Sequence, residues 1–142
     1  MSVGELGPAD VVTIDPDSDL GDVAETLEGE NVGAIVVVDD EAAPVGIVTD
    51  RDVALQVHQT DDVASMSVEE VMTEELATIR ADAEPMEISR QIDEHNVRRF
   101  PIVDEDGSLT GIVTLDDLVA TIGEQLENVT DTIEAQSPAY SP

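Results

Sequence analysis

Residues 46–52 read GIVTDRD and residues 111–117 read GIVTLDD, so one tetrapeptide occurs twice, each time with an aspartate three residues after its threonine. A gapless comparison of the chain with itself extends this match. Residues 2–57 align with residues 67–122 at a constant offset of 65, and 15 of the 56 aligned pairs are identical. Self-similarity on this scale indicates a duplicated structural unit.

Each copy predicts the element order β-α-β-β-α. In the first copy, a short apolar strand at 11–14 precedes a helix with core positions Leu20, Val23 and Leu27. A continuous apolar run at 34–38 suits a buried strand, and the GIVT strand and a second helix follow.

The second copy repeats this order, with strands at 76–79 and 100–103 and helix core positions Ile88 and Ile92. Asp17 and Asp82 stand where the helix N-caps are expected.

The size of one copy predicts how the two copies pack. A unit of about 55 residues hides only about 60% of its unfolded surface, so one copy alone lacks a sufficient core. We therefore expect an α/β (α+β) fold in which the two repeats pack sheet to sheet with pseudo-twofold symmetry. The predicted division is 2–60 for repeat 1, 61–75 for a connector with a short helix, 67–125 for repeat 2 with its lead-in, 126–136 for a C-terminal helix extension and 137–142 for a disordered tail.

The charge balance restricts the partners and the environment. The 142 residues include 34 acidic side chains, five arginines and no lysine, for a net charge of −29. Such a chain repels a nucleic-acid backbone, whose binding requires cations. Because molar salt screens self-repulsion, the composition predicts the cytoplasm of a halophile. A signal peptide, a membrane-spanning run and cysteine are all missing from the sequence, which again predicts a soluble cytoplasmic protein.

An apolar stripe follows the second copy. Leu118, Ile122, Leu126, Val129 and Ile133 fall on one face of a helix that continues past the repeat. This stripe either packs on its own domain or contacts a second subunit, and we favour a homodimer contact.

The pairs Thr49/Asp52 and Thr114/Asp117 share the spacing Thr-x-x-Asp at a junction of strand and helix. In one interpretation each pair is a capping box that satisfies backbone N–H groups. In the other, the helix N-terminus and the hydroxyl hold phosphate while the carboxylate accepts hydrogen bonds from a ribose diol.

Together these features resemble a pair of CBS domains, the family named after cystathionine β-synthase and called a Bateman module when paired. The resemblance rests on the Gly-apolar-apolar-Thr-x-x-Asp endings, RRFPIVD at 98–104, TDRDV at 49–53 and VEEVMT at 68–73. It covers about residues 2–125, and so implies a stand-alone module, of haloarchaeal type given the composition.

The resemblance implies that adenosyl compounds such as AMP, ADP, ATP or S-adenosylmethionine bind in clefts between the repeats as regulatory ligands. By position, Thr49/Asp52 and Thr114/Asp117 would hold ribose and phosphate. The residues that would flank the two adenines are Thr13, Ile14, Gly33, Ala34, Ile35 and Val36 for one, and Thr78, Ile79, Arg98, Arg99, Phe100 and Pro101 for the other.

The copies differ in charge at these positions. Arg98 and Arg99 in repeat 2 match Gly33 and Ala34 in repeat 1. In so acidic a chain, arginines are the cations available for phosphate, so we expect two inequivalent sites with Arg98 or Arg99 at the phosphate-bearing ligand. The alternative is that both arginines form ion pairs with neighbouring carboxylates.

The remaining candidates suggest no chemistry. His58 and His95 lack metal-ligand spacing, no nucleophile and base pair is present, and Met66, Met72 and Met86 are expected to be core or connector filler. We therefore expect neither a catalytic nor a metal site, no required cofactor, and a sensor that signals to an unknown partner protein. The competing hypothesis is a ligand-free dimerisation scaffold in which the Thr-x-x-Asp pairs only cap helices.

Overall fold

Two three-stranded sheets form the framework of the protein. The computed structural model describes residues 2–6, 10–74 and 76–136. The elements in chain order are β1 (Thr13–Ile14), α1 (Leu20–Glu30), β2 (Ala34–Val38), β3 (Pro44–Thr49), α2 (Asp50–Leu55), α3 (Val68–Val71), β4 (Ile79–Arg80), α4 (Met86–His95), β5 (Arg99–Val103), β6 (Leu109–Thr114) and α5 (Leu115–Gln136), with short 3₁₀ turns at Val3–Glu5 and Val63–Ser65. The predicted order β-α-β-β-α is confirmed in both repeats.

The two sheets have the same topology and the same register. In the first sheet β1 pairs parallel to β2, and β2 pairs antiparallel to β3, with Val36 opposite Ile47. In the second, β4 pairs parallel to β5, which pairs antiparallel to β6, with Pro101 opposite Ile112. The register of the second sheet is that of the first displaced by 65 residues, so the sequence duplication is also a structural one.

The predicted core positions of the helices are confirmed. Leu20 and Val23 are buried against Ile35 and Val37 of β2, with Leu27 packed at the edge of this cluster. In repeat 2, Ile88 is buried with Phe100 and Ile102, and Ile92 packs against them. Each core thus lies between one sheet and the helices on its outer face.

The lead-in of each repeat packs on the other repeat. Val3 is fully buried in the core of repeat 2, and its N–H donates to the carbonyl oxygen of Ala83 at 2.9 Å. Val68, the residue at the matching position in α3, is fully buried in the core of repeat 1. Its N–H donates to the carbonyl oxygen of Ser18 at 2.8 Å. The two halves therefore exchange their first helical turns, and each core is completed by the other half. α3 is the short connector helix that the sequence predicts.

The sequence prediction of the helix N-caps is wrong. Asp19, not Asp17, is the N-cap of α1. The Asp19 carboxylate accepts a hydrogen bond from the N–H of Asp22, and the Asp22 carboxylate accepts one from the N–H of Asp19. In repeat 2 the cap position of α4 is Pro85 rather than Asp82, since proline at a helix start supplies the required φ without needing an N–H donor.

The loops that join the two antiparallel strand pairs meet across the repeats. The N–H of Leu109 donates to the carbonyl oxygen of Ala42 at 2.9 Å, although the two residues belong to different halves. This contact, together with the exchanged lead-ins, holds the sheets in one assembly.

α5 extends beyond its repeat, as the apolar stripe predicts. Leu118 is buried in the core of repeat 2, whereas Ile122, Leu126, Val129 and Ile133 remain exposed. The first-repeat counterpart, α2, ends at Leu55. The predicted tail, 137–142, lies outside the described residues.

The methionine prediction is correct in part. Met66 and Met72 pack against the core of repeat 1, but Met86 is 64% exposed on α4, beside the exposed part of α5. No helix within the described ranges is both long and apolar enough to cross a membrane.

Candidate functional site

Both Thr-x-x-Asp pairs form complete capping boxes. At the start of α2, Asp52 Oδ2 accepts a hydrogen bond from the N–H of Thr49 at 2.8 Å, and Thr49 Oγ1 accepts one from the N–H of Asp52 at 3.1 Å. At the start of α5, the corresponding distances between Thr114 and Asp117 are 2.9 Å and 3.2 Å. The capping interpretation of this spacing is therefore confirmed in both repeats.

The capping contacts leave part of the second box available for a ligand. The hydrogen bonds that the Asp117 carboxylate accepts from the described residues all go to Oδ2, including one from Thr114 Oγ1 at 3.1 Å. Oδ1 accepts no hydrogen bond from the described part of the chain, and the side chain is half-buried rather than exposed. A capping aspartate in this arrangement can still accept a hydrogen bond from a bound hydroxyl.

A cleft runs between the two repeats beside this box. Its first part, about 280 Å³, is lined by Ile47 of repeat 1, by Thr73, Leu76 and Ala77 of the segment between the repeats, and by Val97, Arg98 and Arg99 of repeat 2. Its second part, about 240 Å³, is lined by Arg98, Arg99, Thr114 and Asp116. Because Arg98 and Arg99 line both parts, the mainly apolar part and the polar part are adjacent.

The two arginines of the cleft differ in their partners. Arg98 forms an exposed ion pair with Asp116 at 3.4 Å, which agrees with the alternative interpretation of the sequence for that residue. Arg99 forms no ion pair with any residue that the structure describes, and its side chain is exposed at the cleft. An exposed ion pair is worth at most about 1 kcal/mol, so an anion could displace Asp116 from Arg98 at small cost.

Arg80 and Arg90 are engaged elsewhere. Arg80 pairs with Asp82 at 3.1 Å, and Arg90 pairs with Glu87 at 3.2 Å. A hydrogen bond from Gln91, together with Arg90, holds the pKa of Glu87 below its ordinary value. These groups do not line the cleft, so its cationic character comes from Arg98 and Arg99.

Repeat 1 has a different set of charges at the matching place, where Arg51 takes the position of Asp116. Gly33 replaces Arg98, and a Cβ on Gly33 would lie 3.5 Å from the Asp50 carboxylate. Asp50 itself matches Leu115 of repeat 2. The place beside a guanidinium in repeat 2 therefore lies beside a carboxylate in repeat 1, and the inequivalence of the two ligand sites stays a prediction.

Several predicted site residues do not present their side chains to a cleft. The side chains of Ile35, Ile79 and Phe100 lie in the two cores, so only their backbone could contact a ligand. Val36 and Pro101 are also buried, on the opposite face of their strands from the core residues.

Four further predicted site residues differ in their exposure and surroundings. Ala34 and Ile14 are half-buried, and Thr78 is exposed next to Ala77 of the cleft. Thr13 lines a separate hollow with Asp10, Val11, Val12, Thr26 and Glu30, away from Thr49 and Asp52.

Sequence reasoning missed six residues of the cleft. These are Ile47, Thr73, Leu76, Ala77, Val97 and Asp116. β4 begins only at Ile79, so the residues before it are not part of the second sheet and line the cleft instead. There Thr73 and Ile47 form two backbone hydrogen bonds with each other. The signal in the sequence was the apolar character of Leu76 and Ala77, which was assigned to a strand.

His58 and His95 are both exposed. The residues that the structure describes contain no cluster of three or more histidine, aspartate or glutamate side chains arranged to hold a metal ion.

A family model for the CBS domain matches the chain twice, over residues 3–58 and 68–124. The chain is 33% identical over 135 residues to the uncharacterized protein MK0525 of Methanopyrus kandleri, covering 89% of this chain and 69% of that protein. It is 35% identical to the CBS domain-containing protein YhcV of Bacillus subtilis, covering 82% of each. It is also 34% identical to an inosine-5′-monophosphate dehydrogenase of Methanocaldococcus jannaschii, over 78% of this chain but only 21% of the enzyme.

Solved structures agree with this assignment. The CBS domain protein NE2398 superposes with a TM-score of 0.74 at 29% identity, covering 86% of this chain and 97% of that one. The cytosolic domain of the Mg²⁺ channel MgtE, solved in complex with ATP, gives 0.71 at 26% identity, covering 84% and 48%. The CBS domain pair of MJ0100 gives 0.76 at 24% identity, covering 88% and 98%, which shows a shared fold. With two matched repeats that span most of its length, the chain belongs to the CBS domain family.

Proposed function

We propose that the protein is a regulatory ligand-sensing module that binds an adenosine-containing nucleotide between its repeats. In this proposal it acts as a homodimer and signals occupancy to a separate protein. The observation that carries the proposal is the cleft of repeat 2, where Arg99, which forms no ion pair with a residue that the structure describes, lies beside Thr114 of the Thr114/Asp117 box in a chain of net charge −29. The ATP complex of the related MgtE domain supports a nucleotide as the ligand.

The two ends of the cleft suit the parts of a nucleotide. An adenine ring fits the apolar end, formed by Ile47, Leu76, Ala77 and Val97. A ribose hydroxyl can donate to Oδ1 of Asp117. Phosphate oxygens accept from Arg99, and from Arg98 once Asp116 is displaced.

The charges predict a ligand preference for each repeat. Because two guanidinium groups line the cleft of repeat 2, we propose that AMP, ADP or ATP binds there in preference to the cationic S-adenosylmethionine. Beside Gly33, the Asp50 carboxylate disfavours phosphate, so any ligand of repeat 1 would carry less negative charge.

The position of the cleft supports a way to transmit occupancy. Ile47 belongs to repeat 1, whereas Arg98 and Arg99 belong to repeat 2. A nucleotide in the cleft therefore contacts both halves, and its binding favours whichever relative position of the two sheets fits it best. A partner protein that contacts both halves could detect that change.

The test is calorimetric titration with AMP, ATP and S-adenosylmethionine in about 1 M salt, where the self-repulsion of the chain is screened. Replacement of Arg99 with alanine should weaken phosphate-bearing ligands by about 10- to 100-fold, since a charge-assisted hydrogen bond is worth about 1.5–3 kcal/mol. S-Adenosylmethionine should bind no worse to this variant. Arg90→Ala is the matched control, because Arg90 pairs with Glu87 away from the cleft.

A dimerisation scaffold without a ligand is the second candidate. The complete capping boxes favour it, since within each of the pairs Thr49/Asp52 and Thr114/Asp117 the two residues already hydrogen-bond to each other. It predicts no binding heat with any of the three compounds. It also predicts no excess absorbance at 260 nm in the purified protein, which contains one tyrosine and no tryptophan. Equal affinities of the Arg99→Ala and Arg90→Ala variants for ATP would refute the assigned role of Arg99.

A further inference from the structure

Asp116 adds a carboxylate to the polar part of the cleft, which Arg98, Arg99 and Thr114 also line. Its side chain is 84% exposed, and within the described part of the chain its carboxylate pairs with Arg98 alone, at 3.4 Å. An exposed ion pair of this kind contributes little to the stability of a fold. Asp116 therefore lies where the proposed function places phosphate, without being needed to hold the chain together.

Repeat 1 indicates that this helix start does not require an acid at the matching position. α2 and α5 both begin after a Thr-x-x-Asp capping box. Arg51 occupies the position in α2 that Asp116 occupies in α5. A carboxylate in the first turn is favourable to a helix, but Asp117 already supplies one to α5. The effect of Asp116 is therefore to be sought in the cleft.

The polar part of the cleft holds one guanidinium that is available to a phosphate and one that is already paired. Arg99 forms no ion pair with any residue that the structure describes, whereas Arg98 is paired with Asp116. A single guanidinium binds one phosphoryl group through two parallel hydrogen bonds. Further phosphoryl groups would have to draw Arg98 away from Asp116, whose backbone is fixed in the first turn of α5. The carboxylate would then remain near the added negative charge, which it repels.

We propose that Asp116 is a specificity-determining residue that makes this cleft selective for a nucleoside monophosphate over the triphosphate. This selectivity rests on the proposed function, since it requires phosphate to bind in the polar part of the cleft. Arg99 binds the phosphate of AMP, while Asp116 withholds Arg98 from the β- and γ-phosphates of ATP. The cleft thus distinguishes ligands by the charge of their phosphate chain as well as by their adenosine.

Calorimetric titration with AMP and with ATP in about 1 M KCl, without Mg²⁺, tests this role. The unaltered chain should bind AMP more tightly than ATP. In Asp116→Asn, the affinity for ATP should rise by about 3- to 10-fold and that for AMP by about 2-fold or less, because the released Arg98 serves the additional phosphates. Asp131→Asn is the matched control, since it removes an exposed carboxylate from the same helix about 22 Å farther along it. It should leave the ratio of the two affinities unchanged.

A double variant shows whether Asp116 acts through Arg98. In the Arg98→Ala background, Asp116→Asn should change the affinity for ATP by no more than about 2-fold, because no guanidinium is left to release. A gain as large as that in the unaltered background would overturn the proposal.

Repetition of the titrations with Mg²⁺ separates competition from metal binding, because Mg²⁺ is held by carboxylates together with phosphate oxygens. If Asp116→Asn weakened the binding of ATP in the presence of Mg²⁺, Asp116 would be a metal ligand and the proposal would be overturned. An unaltered chain that prefers ATP, or equal affinity ratios in Asp116→Asn and Asp131→Asn, would overturn it as well, although the nucleotide would still bind as the proposed function requires. Absence of binding heat with both compounds in the unaltered chain would instead refute the proposed function, and this selectivity with it.

Discussion

At the scale of single residues, the surroundings of Gly46 explain why the first copy of the tetrapeptide begins with glycine. Gly46 is buried in β3, and a Cβ built on it would overlap the side chain of Met72, which arrives from the connector. The connector residue Thr73 pairs with Ile47, and this pairing fixes Met72 directly over the glycine. The absence of a side chain at position 46 therefore allows the connector to dock on the sheet beside the cleft.

Gly46→Ala should destabilise the protein by about 1–3 kcal/mol, since the added methyl group overpacks a filled site. Gly29→Ala is the control, because a Cβ on Gly29 in α1 would meet nothing within 4 Å. There the loss of glycine should stabilise the fold by about 0.5–1 kcal/mol. Urea denaturation of both variants in molar salt measures the difference. A Gly46→Ala variant as stable as the unaltered chain would show that Met72 moves aside freely.

The sequence allowed part of the candidate site to be predicted at this scale. Thr114, Asp117 and Arg99 were identified from the repeat and its motifs. Thr114 and Arg99 line the same part of the cleft, and Asp117 is hydrogen-bonded to Thr114. Ile47 and Leu76 could not be identified in this way. Their role depends on how the opposite repeat and the connector approach the cleft, and this relation between distant segments leaves no local pattern.

At the scale of the elements, buried strands and amphipathic helices were predictable, but their ends were not. β2 occupies the predicted apolar run, since burial on both faces leaves an unbroken hydrophobic signal. The helix starts were misassigned because several acidic residues precede each helix, and hydrogen-bond geometry rather than residue type selects Asp19 among them. The asparagines that end α1 and α4 were also not interpreted. Asn31 and Asn96 both adopt the left-handed conformation, with φ of 53° and 54°, that terminates a helix.

The exchanged lead-ins give a prediction for two matched valines. Val3→Ala should loosen the core of repeat 2, where Val3 is buried, and Val68→Ala should loosen the core of repeat 1. Each loss should be about 1–3 kcal/mol, because a fully buried side chain leaves a cavity. Hydrogen exchange should show weaker protection of β5 and β6 in the first variant and of β2 and β3 in the second. Loss of protection in the sheet nearest in sequence would contradict the exchange.

At the scale of the whole molecule, repulsion among the acidic side chains determines how stability depends on salt. Five arginines face 34 acidic residues, and among the described residues no acidic side chain is buried. The carboxylates therefore lie at the surface, where they repel one another over roughly 10 Å at 0.1 M salt but over only about 3 Å at 1 M. The fold should tolerate this repulsion only when it is screened.

The melting temperature should therefore rise as KCl is increased from 0.1 M to 1 M, and then rise more slowly as screening saturates. Differential scanning calorimetry measures the change. A series of sucrose solutions is the control, because sucrose strengthens burial by exclusion from the surface without screening charge. If sucrose and KCl at equal osmolality gave the same increase, self-repulsion would not be the cause.

The exchanged lead-ins, in which Val3 and Val68 each lie in the core of the other repeat, suggest how such a duplicated chain could arise. Before a duplication, a lone ancestral repeat would have had a single valine of this kind, and its own core would have lacked the residue that fills it. Two such peptides can complete both cores by domain swapping, in which each packs its first helical turn into the core of the other. Fusion of the two genes would then have tethered partners that were already complementary, without requiring a new packing solution.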